Sequence, residues 1–152
     1  MKKQTFTFLL LSFFSFTLQA QYGGNTLALG GFDYVTVPDN SNGSLDIANG
    51  FSIEVWVKLS NSLNDQKIVS KADVTLTNAY IFGVENGLVK FEVFDDAGVQ
   101  TLLHQGTVDA GVWVHLAGTY TVGGFMRIYI NGELAGETAA SAGAHSYTLN
   151  NL

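Results

Sequence analysis

The stretch Asp109-Ala-Gly-Val-Trp-Val-His-Leu-Ala-Gly-Thr-Tyr120, followed by Phe125-Met-Arg-Ile-Tyr-Ile-Asn-Gly-Glu-Leu134, decides the fold of this chain. It reads as a strand, a turn at Gly123-Gly124, a second strand and a two-residue hairpin at Asn131-Gly132. Type I′ hairpins need φ > 0 at both central residues, which Asn and Gly tolerate. The hairpin brings Tyr129 opposite Leu134 on one face and Ile128 opposite Ala135 on the other. Both faces are partly apolar, as suits a strand inside a sandwich.

The rest of the chain follows the same pattern. Phe51, Ile53, Val55, Val57 and Leu59 alternate with Ser52, Glu54, Trp56 and Lys58, so one face of that strand is apolar and the other mixed. An Asn86-Gly87 turn sets Val84 against Val89, Phe82 against Phe91 and Tyr80 against Val93, three apolar pairs on one face. The other face receives Gly83 with Lys90 and Ile81 with Glu92. A slip of one residue would mix the two sets, so the register is well specified. Strands are expected near 26–29, 33–38, 51–59, 67–72, 79–85, 88–94, 99–105, 112–121, 125–130 and 133–138. No helical periodicity follows residue 20. The fold class is all-β, two antiparallel sheets packed face to face.

The first twenty residues read differently. Met1-Lys2-Lys3 is positive, Phe6 to Leu18 is almost unbroken apolar, and Ala20 is small. That is the layout of a cleaved secretory signal peptide at 1–20. The apolar run is shorter than the roughly 20 residues that span a bilayer, so no membrane insertion is expected after cleavage. Residues 21–152 then form one domain that is secreted, on the cell surface or periplasmic. Zero Cys means that no disulfide staples it, and apolar burial must hold it together. Thirteen Asp and Glu against seven Lys and Arg give −6, and Lys2 and Lys3 leave with the signal. So acidic a surface repels nucleic acid and anionic lipid.

Five segments in order resemble the laminin-G-like (LamG-like) jellyroll domains, relatives of pentraxins and concanavalin-A-type lectins. They are Leu27-Ala-Leu29 with Gly31-Phe-Asp-Tyr-Val35, Phe51-Ser-Ile-Glu-Val-Trp-Val57, Ile68-Val-Ser-Lys71, Gly111-Val-Trp-Val-His-Leu-Ala117, and Tyr129-Ile-Asn-Gly132. The resemblance implies a concanavalin A-like jellyroll that continues past Leu152, so the domain is read as incomplete at its C-terminal end. In pentraxins an acidic calcium loop lies in that further region, and its ligands cannot be carried over. Asp73 and Asn78 lie near a connecting loop that contributes early calcium ligands in such relatives, which makes them the calcium candidates here. Trp56 and Trp113 are read as amphipathic anchors whose truncation to Ala costs roughly 3–5 kcal/mol when buried. Asn131 and Gly132 are read as turn residues, and Glu54 and His115 as structural partners within apolar strands.

Catalytic patterns are missing. Glycoside hydrolysis needs two carboxylates on one face, about 5–9.5 Å apart. Glu92 and Asp95 are three apart and point to opposite faces of a regular strand, while a turn separates Glu92 from Asp96. His104, His115 and His145 are scattered without zinc-ligand spacing. No G-x-S-x-G elbow, cysteine nucleophile or phosphate loop occurs. The resemblance therefore implies a non-catalytic module that binds glycans or surface proteins. Its specificity is expected in the loops at Asp39–Gly43, Asn61–Asp65 and Asp95–Gly98 and in exposed aromatics that stack on sugars. An accessory domain of a larger secreted enzyme or adhesin, and a ligand-free spacer, stand beside that reading.

Overall fold

The computed structural model describes residues 25–30, 33–38, 45, 49–72 and 79–145. The chain divides into two units, Met1–Tyr34 and Val35–Leu152, and every described strand lies in the second. The strands are β1 (Gly50–Lys58), β2 (Gln66–Lys71), β3 (Tyr80–Glu85), β4 (Leu88–Phe94), β5 (Gln100–Thr107), β6 (Trp113–Thr121), β7 (Phe125–Ile130) and β8 (Glu133–Ala139). They form two antiparallel four-stranded sheets, ordered β1-β6-β7-β8 and β2-β3-β4-β5. No helix occurs among the described residues.

The β3–β4 hairpin has the register that its apolar pairs require: Phe82 faces Phe91, Val84 faces Val89 and Tyr80 faces Val93. Asn86 at φ +52° and Gly87 at φ +78° supply the left-handed turn. The β7–β8 hairpin departs from expectation. Asn131 (φ +52°) and Gly132 (φ +85°) make its turn, and Tyr129 does face Leu134. Ile128, however, faces Gly136, because a β-bulge leaves Ala135 without an opposite number. The extra residue resets the alternation, so that Leu134 and Glu137 face outward although they are three apart. Arg127 Nε can then donate to Glu137 Oε2 across the strands at 2.9 Å.

The expected strands at 26–29 and 33–38 do not form. Leu27 and Leu29 are exposed, as are Tyr34, Val35 and Val37. Alternation gives a segment an apolar face, but a strand also needs a neighbouring backbone to take its N–H and C=O groups. Neither segment finds one among the described residues. Instead Asp33 donates its N–H to the Gly30 carbonyl, and its carboxylate accepts the Gly30 N–H.

The core lies between the sheets. Phe82 and Phe91 are fully buried and meet edge-to-face, with ring centroids 5.4 Å apart at 81°. Phe51 of β1 reaches across to Phe91 (5.8 Å, 85°) and Tyr80 (4.8 Å). Offset and edge-on contacts of this kind favour the aromatic quadrupoles and add to the area buried. Gly118 of β6 makes room for them, since a Cβ there would come within 2.9 Å of the Phe91 ring. Leu116, Met126 and Ile128 complete the opposite wall without exposed surface.

Candidate functional site

Sheet β1-β6-β7-β8 turns one face to the core and the other to solvent. Its outward positions follow from register: Trp56 stands opposite His115, Lys58 opposite Trp113, and Glu54 opposite Ala117. Beyond Ala117 the same row continues to Tyr129 and Leu134. Trp56 and Trp113, read from the sequence as amphipathic anchors, therefore stand on this outward face and not in the core. They are 40% and 48% exposed. The anchoring role passes to Phe51, Val114 and Leu116, which share the strands but have the other parity.

This face is held in place from two directions. The Trp56 and His115 rings sit 5.3 Å apart and tilted at 48°, and His115 Nε2 lies 4.0 Å from Glu54 Oε2. Asn131 Oδ1 accepts the His115 N–H at 3.1 Å, while the Asn131 N–H donates to the His115 carbonyl at 2.8 Å. The hairpin residue thus shapes the turn and fixes the backbone under the rings. Ala117 is the small residue between Glu54 and Tyr129 in its row, and it is buried.

A second feature lies where β5 approaches β8. A cleft of about 400 Å³ is lined by Gln100, Thr101 and Leu102 on one side and by Thr138, Ala139 and Ser141 on the other. The Asp95 carboxylate bonds to Ser141 in its wall. That carboxylate is 3% exposed, and its Oδ1 accepts the N–H groups of Ala97 (3.0 Å) and Val99 (2.8 Å). Oδ2 accepts the Ser141 hydroxyl at 2.9 Å, and Ser141 N–H donates to Thr101 Oγ1 at 3.0 Å. Tyr120 adds a hydroxyl 3.3 Å from the Ser141 carbonyl oxygen and 3.1 Å from His145 Nε2. These bonds tie the 95–99 turn to residues 141–145. The expected specificity loop at Asp95–Gly98 is here a structural tie.

Two groups make that tie acid-sensitive. Burial pushes the His145 pKa below its ordinary value, and Asp95 and Asp96 offset this only in part. Burial would raise the Asp95 pKa, but the bonds from Val99, Ser141 and Ala97, with His145 nearby, bring it below the usual carboxylate range. Both groups bind protons more readily unfolded than folded, so stability falls with falling pH. The His145 contribution is complete above about pH 6.5 and declines below it; the Asp95 contribution is lost below about pH 4. Thermal melts from pH 7.5 to 3 should show both declines, and His145→Gln should remove the first. An unchanged slope in that variant would refute the assignment.

The residue pattern has relatives. The model of the Laminin_G_3 family, described as the concanavalin A-like lectin/glucanases superfamily, matches residues 29–152. The chain belongs to that superfamily. Among solved structures, the binding domain of Paraclostridial Mosquitocidal Protein 1 is similar at 14% identity and TM-score 0.63, covering 76% of this chain and 31% of that one. Domains LG4-5 of the mouse laminin alpha1 chain follow at 11% and 0.59, covering 76% and 30%. Botulinum neurotoxin type C is similar at 19% and 0.55, covering 77% and 31%. At such identities the likeness shows the fold alone, and the chain spans about a third of each neighbour. No curated protein matches the sequence.

Within this superfamily fold the carboxylates tested for hydrolysis have structural partners. Glu92 Oε1 accepts from Gln100 Nε2 at 2.9 Å and pairs with Lys90 at 3.3 Å; Asp95 is engaged as above. His104 Nε2 sits 2.9 Å from the Glu85 carbonyl oxygen. Among the described residues no three His, Asp or Glu gather as a metal site requires. The calcium candidates Asp73 and Asn78 lie outside the described residues. The alternation in β1 set Trp56 on the mixed face, but its meeting with His115 and Trp113 of β6 depends on a strand pairing that the sequence did not reveal.

Proposed function

We propose that the protein is a non-catalytic recognition module, exported by a signal peptide at residues 1–20, that binds a glycan or a cell-surface protein outside the cell. One observation carries this reading: large aromatic side chains stand on a solvent-facing sheet, held by register and hydrogen bonds rather than buried. Trp and Tyr combine an apolar body with a polar edge, which suits them to surfaces that meet a ligand. Function resides in such sites and not in the fold. Two neighbours lend support, because one is the binding domain of a mosquitocidal protein and the other, botulinum neurotoxin type C, depends on interaction with two ganglioside molecules for cell entry.

The module also suits an accessory role in a larger secreted enzyme or adhesin. A glycan array and a panel of extracellular matrix proteins, each run with calcium and with chelator, tests the proposal. Binding to at least one ligand class is expected. Silence on both panels would leave the spacer reading. A calcium requirement would bring Asp73 and Asn78 into the site.

A further inference from the structure

We infer that the outward face around Trp56, His115 and Trp113 is a stacking platform for uncharged saccharides. This rests on the recognition reading and assigns its ligand class. The two indoles flank the His115 position: Trp56 lies directly across from it, and Trp113 two residues along β6 on the same side. Same-face neighbours at that spacing lie within reach of one another's side chains.

Charge decides which saccharide. The chain carries thirteen acidic and seven basic residues. On the outward positions of β1, β6, β7 and β8 the ionic residues are Glu54, Lys58, Arg127 and Glu137, which balance, and the last two already pair at 2.9 Å. The face is locally neutral on an acidic protein, so it offers an anionic polymer no net attraction. Polar groups also alternate with the rings: Lys58 beside Trp113, and Glu54 and His115 beside Trp56. A contiguous apolar patch would suit the core of a protein interface. Rings interleaved with donors and acceptors suit an amphipathic ligand, whose C–H face lies on an indole while its hydroxyls reach the flanking polar groups.

The chain has two tryptophans, and both lie on this face, so intrinsic fluorescence reads it directly. The full exported chain is titrated with uncharged β-glucan, xylan and mannan oligosaccharides of about six units, up to about 10 mM, a concentration that fills even a millimolar site. Polygalacturonate and a heparin fragment serve as anionic arms. A shift or quench with at least one neutral oligosaccharide is expected. Trp56→Ala and Trp113→Ala should each weaken binding at least tenfold, whereas Trp56→Phe should hold it within about threefold, and melting curves should show all three variants folded. Tighter binding of the anionic arms overturns the neutral assignment. Sugar binding that survives in the double Trp→Ala variant, or a surface protein bound with no sugar, overturns the platform and leaves the recognition reading intact. Binding to neither class overturns both.

Discussion

Phe91→Ala should destabilise the domain by roughly 3–5 kcal/mol, the range for losing a fully buried Phe side chain. Phe91 has no exposed surface and contacts rings from both sheets, Phe82 in its own and Phe51 across the gap. Removing it leaves a cavity between two β-ladders that cannot close in on one side without tearing register on the other. Domains of this size are stable by only about 5–15 kcal/mol, so a large share of the total is at stake. Urea unfolding followed by far-ultraviolet circular dichroism measures it, with an unchanged m-value expected. A loss under about 1 kcal/mol would mean that the Phe51–Phe82–Phe91 cluster is not the centre of the core.

Gly83→Ala should be nearly as damaging, although it adds a single methyl group. A Cβ at Gly83 would collide with the Gln66 carbonyl oxygen and lie 3.1 Å from Lys67 Cα, both backbone atoms of β2. Side chains can rotate away from an intruder; a paired strand has to move bodily. Overpacking typically costs about 1–3 kcal/mol and occasionally more, and a clash with backbone belongs at or above the top of that range. Hydrogen exchange should show lost protection across Gln66–Lys71 while β3–β4 pairing persists. Gly87→Ala is the informative comparison, because nothing lies within 4 Å of its Cβ position and only the φ of +78° penalises it, by about 1–2 kcal/mol. If the two variants were equally stable, the close approach of β2 to Gly83 would be refuted.

Much of this was legible in the chain. Asn86-Gly87 with its flanking apolar pairs gave the β3–β4 register residue by residue, because one alignment alone keeps Phe82, Val84, Val89 and Phe91 together. The β7–β8 hairpin was legible only up to its bulge, since nothing in Leu134-Ala-Gly136 states which residue will lack an opposite number. Segments 26–29 and 33–38 mislead because apolar alternation says nothing about whether a neighbouring strand exists. The outward face was obscured for another reason. Composition argues that Trp goes inside, while the alternation of Phe51, Ile53, Val55 and Val57 places Trp56 outside, and parity prevailed. Ring stacking with His115 and the Asn131 brace join residues far apart in sequence, and only the fold brings them together.

The pairing of β1 with β6 also sets a schedule. Every other ladder among the described residues joins consecutive strands, but Gly50–Lys58 must wait for Trp113–Thr121. At about 5–20 residues per second, a ribosome needs roughly 3–12 s to deliver that partner. Throughout the interval the first strand is a greasy ribbon with nothing to hold. The meanders β2–β5 and β6–β8 can assemble from near neighbours, while closure by β1 pays for a long loop and comes late. The nascent chain is therefore most vulnerable before the second half of the domain has been made.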